Sequence, residues 1–405
     1  MGLNDARPQP TNRGRFYGRD LSDALGGKTP IGLIDSTWGG TRDEAWMDTA
    51  ARAKCNATGE GLDDTDAGID AAHAAGMQPS TAPSWAAASS SSSSPPLVTL
   101  GEGTGPNDVG ALWNGMVYPW LRSTVYGVIW YQGEADCTGG YPRGNHFSSV
   151  NYACTFPSLI ESWRAHWHAA TNGATDPTFP FGFVQLSTWS DKSNSTCGDG
   201  GSASCDVGVV RWGQTANVGS VPNAKMPNTF MAVAVDLGDP ASPEGDIHPR
   251  YKQQVGSRLA LAARAVAYKD PKVPVEAVTG PLAKTATAAD ATKGGAVEIG
   301  FANTGGGPLT VKHGVGFEVS GTPCDMTFPN QAATGTWFSA PVIGSKGSTL
   351  TVGAANLTAT AKCVRYNWYN AACMPAVGPG LCALYGIGAF GMLLPAPPFV
   401  LDVAS

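Results

Sequence analysis

The chain has 405 residues, too many for one ordinary domain, so two domains are expected. Hydrophobic residues make up 42 %, enough for a full core, while charged residues are only 14 %, against roughly 25 % in average globular chains. The net charge of −6 offers no basic footprint for nucleic acid, and the apolar run from Leu381 to Leu394 is too short to span a bilayer before Pro395 stops it.

Residues 1–20 are polar and Arg-rich, with no apolar stretch of the kind a signal peptide needs. Residues 15–26 read as a short amphipathic helix, with Phe16, Leu21, Ala24 and Leu25 on its apolar side. Four apolar runs then read as buried strands: Ile31–Asp35, Val125–Tyr131, Phe181–Leu186 and Met231–Asp236. They lack the alternation of a half-exposed strand, as parallel strands covered on both faces should. Helical spacing marks Phe156–Ala169 and Tyr251–Tyr268, the latter preceded by Pro249. Strands alternating with helices predict a doubly wound α/β sheet. Two insertions interrupt it: 55–96, Ala/Gly/Asp/Ser-rich and ending in Ser89–Ser94 and Pro95-Pro96, and the polar loop 187–209. After about Asp270 short runs (Ala296–Phe301, Gly316–Val319, Thr349–Val352) separated by Gly, Pro and Asn predict a β-sandwich. The expected division is 1–270 and 271–405.

There are nine cysteines, none in paired CxxC spacing, which predicts disulfides rather than zinc. Cys197 and Cys205 bracket a Gly/Ser loop and are expected to pair; Cys363, Cys373 and Cys382 cluster near the C-terminus, with Cys324 upstream. Asn56, Asn194 and Asn356 begin glycosylation sequons. The body reads as secreted or lumenal and the start does not, so the natural start is expected upstream.

Three segments carry the chemistry: Pro30 to Thr41, ending Trp-Gly-Gly-Thr; Val128 to Asp136, containing Trp-Tyr-Gln-Gly-Glu; and Gly245-Asp-Ile-His-Pro249. Each lies at or just after a predicted strand, where open α/β sheets place ligands. His248 is a candidate general base and Asp246 its orienter, with Asp236 and Asp239 as fallback partners; read alone, Asp246 would simply cap the following helix. Gly39 and Gly40 allow backbone N–H groups to approach an oxyanion. Trp38 walls the pocket or joins the core. The Gln132 side-chain amide is a second candidate donor, Glu134 and Asp136 brace that loop, and Asn114 braces a neighbouring one. Glu44 and Trp46 read as structural. Ser36 is a poor nucleophile candidate. His166 and His168 lie two apart on a helix and face different ways, so no metal is expected there. Asp64-x-Asp66-x-Gly68 lacks the closing acidic ligand of a calcium loop.

Those segments, with Leu112-Trp-Asn-Gly-Met116, Trp163-Arg164, Pro180 to Leu186, Arg365-Tyr-Asn-Trp368 and the closing Pro-Ala-Pro-Pro-Phe399, resemble the sialate O-acetylesterase family of the SGNH hydrolases, in the family's order and outside the two insertions. The resemblance implies a three-layer α/β esterase domain with a parallel sheet, a β-rich C-terminal domain, and hydrolysis of acetyl esters on sugars without a cofactor. The implied partner is an O-acetylated carbohydrate, and the implied location is outside the cell or in an endomembrane or lysosomal lumen. It also implies a Gly-Gln-Ser-Asn-like segment bearing the serine nucleophile, which these residues lack. The alternatives are a carbohydrate-binding relative without catalysis and a surface protein whose β-sandwich does the binding. On the esterase reading the chain by itself is expected to be inactive and poorly stable.

Overall fold

The computed structural model describes residues 12–55, 57, 105–137, 149–189, 206–245, 248–289, 295–324, 336–373 and 381–404. Asp64, Asp66 and Gly68, Cys197, Cys205 and Asp246 lie outside them.

Three parallel strands form the first sheet in the order β1 (Val128–Trp130), β2 (Phe181–Gln185), β3 (Thr229–Val233). Every residue of β2 and β3 is buried, because helices cover both faces. Successive side chains of a strand point to opposite faces. Phe181 and Phe183 pack with Phe156, Leu159 and Ile160 of helix α3 (Tyr152–Ala170) on one side. Val184, Phe230 and Ala232 pack with Val255, Leu259 and Ala262 of helix α5 (Lys252–Val266) on the other. Gly182 is required between them, since a Cβ there would come within 2.3 Å of the Phe230 ring. Helix α1 (Asn12–Ala24) lies outside α5, touching it where Gly256 meets Phe16. Helix α2 (Thr49–Lys54) is capped by Asp48, whose carboxylate accepts from Ala51 N at 2.9 Å.

Two elements differ from the sequence reading. Ile31–Asp35 is irregular rather than a strand, with Leu33 and Ile34 49 % and 52 % exposed. β1 is the sheet's edge among the described residues, yet this run does not pair with it, and Leu33 leans on α1 at Gly18. The end of the expected polar loop 187–209 opens helix α4 (Asp206–Gly213), where Val207, Val209 and Val210 are buried.

The C-terminal strands are β4 (Leu282–Ala288), β5 (Ala296–Ala302), β6 (Thr310–Val311), β7 (Phe317–Ser320), β8 (Phe338–Ser339), β9 (Val342–Lys346), β10 (Thr349–Gly353), β11 (Cys363–Tyr366), β12 (Leu384–Ile387), β13 (Leu393–Pro395) and β14 (Phe399–Asp402). They make antiparallel sheets of order β4-β5-β10-β9, β14-β11-β7-β8 and β13-β12-β6. The two larger sheets share one core: Val297, Ile299, Leu350 and Val352 from the first meet Phe317, Val319, Val364 and Phe399 from the second. The same core takes in Val209 and Trp212 of α4, and the Trp212 and Trp368 rings lie 6.1 Å apart. Gly208 permits this approach, because a Cβ there would reach within 2.1 Å of the Trp368 carbonyl oxygen.

Disulfides join Cys55 to Cys154, Cys324 to Cys363 and Cys373 to Cys382, bonds that belong to an oxidising compartment. No described helix is long and apolar enough to cross a membrane.

Candidate functional site

Because β1, β2 and β3 are parallel, the segments that follow them leave the sheet at one edge: 131–137, 186–189, and 234–245 with His248. After β1 the chain turns at Gly133 (φ +127°), where a Cβ would press to 3.0 Å from Val210 and 3.3 Å from Leu186. This turn presents Gln132 inward. Its Nε2 donates to the Thr41 carbonyl at 2.9 Å and also to Asp136 Oδ2, while Tyr152 OH donates to Gln132 Oε1 at 3.0 Å.

Gln132 therefore clamps the Gly-Gly turn. Thr41 Oγ1 donates to the Trp38 carbonyl at 2.8 Å and accepts from Trp46 Nε1 at 3.0 Å. Asn107 Nδ2 donates to the Gly40 carbonyl at 3.3 Å. Gly40 has φ +75°, which favours glycine, and neither Gly39 nor Gly40 has any atom within 4 Å of where a Cβ would be. The turn is held from behind and open in front. Trp38 beside it is 54 % exposed, so it is not a core residue. Ser36 Oγ donates to the Met116 carbonyl at 2.6 Å, tying this segment to the π-helical turn Trp113–Val117 that carries half-buried Asn114. The donor role expected for Gln132 is corrected by this geometry: both of its amide hydrogens are committed, so it braces the turn and has none left for an oxyanion.

Behind the turn lies a feature that sequence reasoning missed. Asp43, Glu44 and Asp136 are all buried, with carboxylate oxygens within 4.8 Å of one another. Thr155 Oγ1 donates to Asp43 Oδ2 at 2.5 Å. Burial, then the charge of Glu44, pushes Asp136 up to about 8, and burial raises Asp43 and Glu44 as well. A hard cation needs six or more oxygen ligands; here Gln132 and Thr155 turn hydrogens, not lone pairs, toward the carboxylates. The only sequence signal was the pair of acids directly after a Gly-Gly turn, which reads equally well as a solvated loop.

His248 is exposed, and among the described residues its hydrogen bonds stay within its own loop: Nδ1 bonds the Glu244 carbonyl at 2.9 Å and Ser242 Oγ donates to the His248 carbonyl at 2.7 Å. A carbonyl only accepts, so Nδ1 carries the proton and, in the neutral ring, Nε2 is the basic nitrogen. The fallback orienters are both taken. Asp236 is clamped by Arg258 at 2.6 and 2.8 Å, and Asp239 by Arg250 at 2.7 and 2.9 Å. The structure thus brings Gly39, Gly40, Gln132 and Asp136 together. It leaves Glu134 half-buried on the same loop and places His248 on the loop that follows β3, at the same sheet edge.

The family model of the sialate O-acetylesterase C-terminal domain matches residues 287–403. The chain is similar to sialate O-acetylesterase of Mus musculus, 36 % identical over 395 residues, covering 96 % of this chain and 63 % of the relative. The Homo sapiens protein of that name is 40 % identical over 267 residues, 66 % of this chain and 40 % of the relative. Among solved structures, a carbohydrate acetylesterase from Xanthomonas citri superposes with a TM-score of 0.62 at 26 % identity, covering 96 % of this chain and 65 % of that one. The chain therefore spans less than two thirds of the length of these relatives.

Proposed function

Because the chain belongs to the sialate O-acetylesterase family, we propose that its carboxyl-edge site is that of a carbohydrate O-acetylesterase. The observation that carries the reading is the Gln132–Thr41 bond, which fixes an open Gly39-Gly40 turn against the loop that follows β1. In this proposal the substrate is an acetyl ester on a sugar, and Trp38 offers the sugar an exposed aromatic face. His248 Nε2 takes the proton of a serine hydroxyl as it attacks the acetyl carbonyl, then returns it to the departing sugar oxygen. Asp246 stabilises the imidazolium, with the Glu244 carbonyl holding the tautomer. Backbone N–H groups of the Gly39-Gly40 turn receive the oxyanion, since donors there are already oriented before charge develops. Asn114, Glu134 and Asp136 hold the surrounding loops. The 405 residues hold no Gly-x-Ser-Asn-like segment, so this reading names no serine among them. The three disulfides support a secreted or lumenal protein, and the division at about residue 270 is the proposed domain boundary.

The test is His248→Ala in the protein as the cell makes it, assayed with p-nitrophenyl acetate and with an O-acetylated sugar. Turnover should fall by a factor on the order of 10⁴, as when a member of a catalytic triad is lost. Near-normal turnover by a normally folded variant would remove His248 from the mechanism. Turnover by the wild type on the nitrophenyl ester but on no acetylated sugar would remove the carbohydrate.

A further inference from the structure

We infer that Asp43, Glu44 and Asp136 are a proton-sharing carboxyl cluster that positions the Gly39-Gly40 turn, so that the turn loosens when the cluster loses its shared proton. The inference deepens the proposed site and rests on that reading only in assigning the turn to the reaction.

Asp43 Oδ1 and Glu44 Oε2 are buried and receive no hydrogen bond from any donor group among the described residues. An ionised carboxylate left dry and without donors is far too costly to bury. A carboxylic acid in the same place supplies the missing hydrogen itself. Like charges this close cannot all ionise, the rule that makes paired carboxylates share one proton. The surroundings offset the charge only in part. From the same segment and α2, Arg42 and Arg52 lower Glu44, and Arg42 lowers Asp136, yet burial keeps both raised. From α3 come Tyr152 and Thr155, neither of them cationic, and Glu134 of the loop after β1 acts on Tyr152. The cluster therefore holds a proton through neutral pH, and the direction of the shift at all three acids agrees.

The path from cluster to turn is short. Asp136 accepts from Gln132 Nε2, the same atom that donates to the Thr41 carbonyl, and Asp43 stands two residues beyond Thr41. Losing the shared proton adds a further negative charge in a dry space, and the cheapest relief is for water to enter or for 41–44 to move. Either releases the turn. Asp43, Glu44 and Asp136 are thus positioning residues and touch no substrate.

The sign follows from linkage. These groups hold protons in the folded state that a free carboxyl, near pKa 3.9, has lost in the unfolded chain. Their contribution is fully present below about pH 4 and is lost as pH rises toward about 8.

The experiment measures thermal unfolding of the protein from pH 5 to pH 9 in the wild type, Asp43→Asn and Asp136→Asn. The amide is a neutral isostere of the acid. The wild-type Tm should fall as pH rises through this window, and Asp43→Asn should flatten that slope, matching or exceeding the wild type at pH 8.5. Hydrogen exchange in peptides covering 38–46, corrected for the intrinsic rate, should rise above pH 8 in the wild type and not in Asp43→Asn. An infrared difference spectrum of the wild type between pH 6 and pH 9 should lose a carboxylic-acid carbonyl band, a readout that needs no variant to fold. Parallel slopes in all three proteins, or no such band at pH 6, would overturn the proposal. So would a rise in wild-type Tm with calcium or magnesium that Asp43→Asn abolishes, because a cation rather than a proton would then neutralise the cluster. None of these readouts uses turnover, so the cluster can fail while the esterase reading stands, and the reverse.

Discussion

Arg211 should be the costliest single side chain to remove from the junction between the two halves of the molecule. It is fully buried with no carboxylate partner in its hydrogen-bond set. Its guanidinium instead donates to four main-chain carbonyls: Leu186 at 2.9 Å and Ser187 at 2.7 Å after β2, Tyr369 at 2.9 Å and Asn370 at 3.3 Å after β11. Burial lowers its pKa to about 10, still far above neutral, so the charge persists. Replacing both partners of a buried ion pair by apolar groups is often harmless, but here the partners are backbone and cannot be replaced. Arg211→Met removes four hydrogen bonds, and while the Tyr369 and Asn370 carbonyls keep Ala372 N and Trp189 N, those of Leu186 and Ser187 lose the donor that Arg211 supplies. At about 1 kcal/mol net for each bond the loss is about 4 kcal/mol, which agrees with the roughly 3–5 kcal/mol seen when one side of a buried pair is removed. Relief from burying the cation is already inside those net values. Against a typical folding free energy of about 5–15 kcal/mol this is severe. Arg211→Lys, with a single nitrogen that cannot span both loops, should recover less than half. The assay is equilibrium urea unfolding followed by tryptophan fluorescence, with the Trp212–Trp368 pair reporting on the junction. A loss below about 1 kcal/mol for Arg211→Met would refute the reasoning, since it would mean that the carbonyls find other donors.

Cys55→Ser opens a loop closed across 99 residues of sequence and should cost up to about 4–5 kcal/mol by loop-closure entropy; an unchanged unfolding midpoint in non-reducing buffer would show that Cys55–Cys154 does not form. Gln214→Glu should be more harmful than Gln214→Met, because Nε2 donates to the Val184 carbonyl at 2.9 Å and the Gln132 carbonyl at 3.4 Å, and a carboxylate would face both as a third acceptor. The introduced acid would be raised by burial, so its stability should recover as pH falls and be lost as pH rises; equal unfolding midpoints for the two variants at pH 8 would contradict this.

The layered core was legible because its signal is local. Phe181–Leu186 and Met231–Asp236 are apolar but for Gln185 and Asp236, and a strand covered on both faces needs little else. Ile31–Asp35 carries the same composition, but composition reports what a segment would bury and not whether a neighbour pairs with it. Helix α4 was missed although Val207 and Val210 have helical spacing, because the Gly/Ser run ahead of it dominated the reading. The Gly39-Gly40 turn was legible from glycine itself, whose positive φ at Gly40 few other residues adopt. Partners set by the tertiary fold were not. Nothing near Cys55 points to Cys154, adjacent acids such as Asp43 and Glu44 usually face water, and an arginine inside an apolar run does not announce that four carbonyls from two distant loops await it.

The polar braces share one location and one purpose. Gln132, Gln214 and Arg211 are buried at the carboxyl edge of the sheet, where strand ladders end and backbone groups need new partners. Gln214 Oε1 accepts from Leu186 N at 3.0 Å while its Nε2 reaches the Gln132 carbonyl, so one amide joins the ends of β1 and β2. Arg211, three residues earlier, carries the tie on to the β-rich half. A dry amide or guanidinium in such a place is costly to misplace, so each brace permits one arrangement of the loops it joins. That stiffness suits donors that must be oriented before charge develops on an ester carbonyl. A base that must reach a hydroxyl and then a leaving group has the opposite need, and the proposed base His248 sits on an exposed loop, where among the described residues it is held by Glu244 and Ser242. On the proposed mechanism, substitutions in the brace set should therefore reduce turnover through lost geometry, and those around His248 through lost basicity.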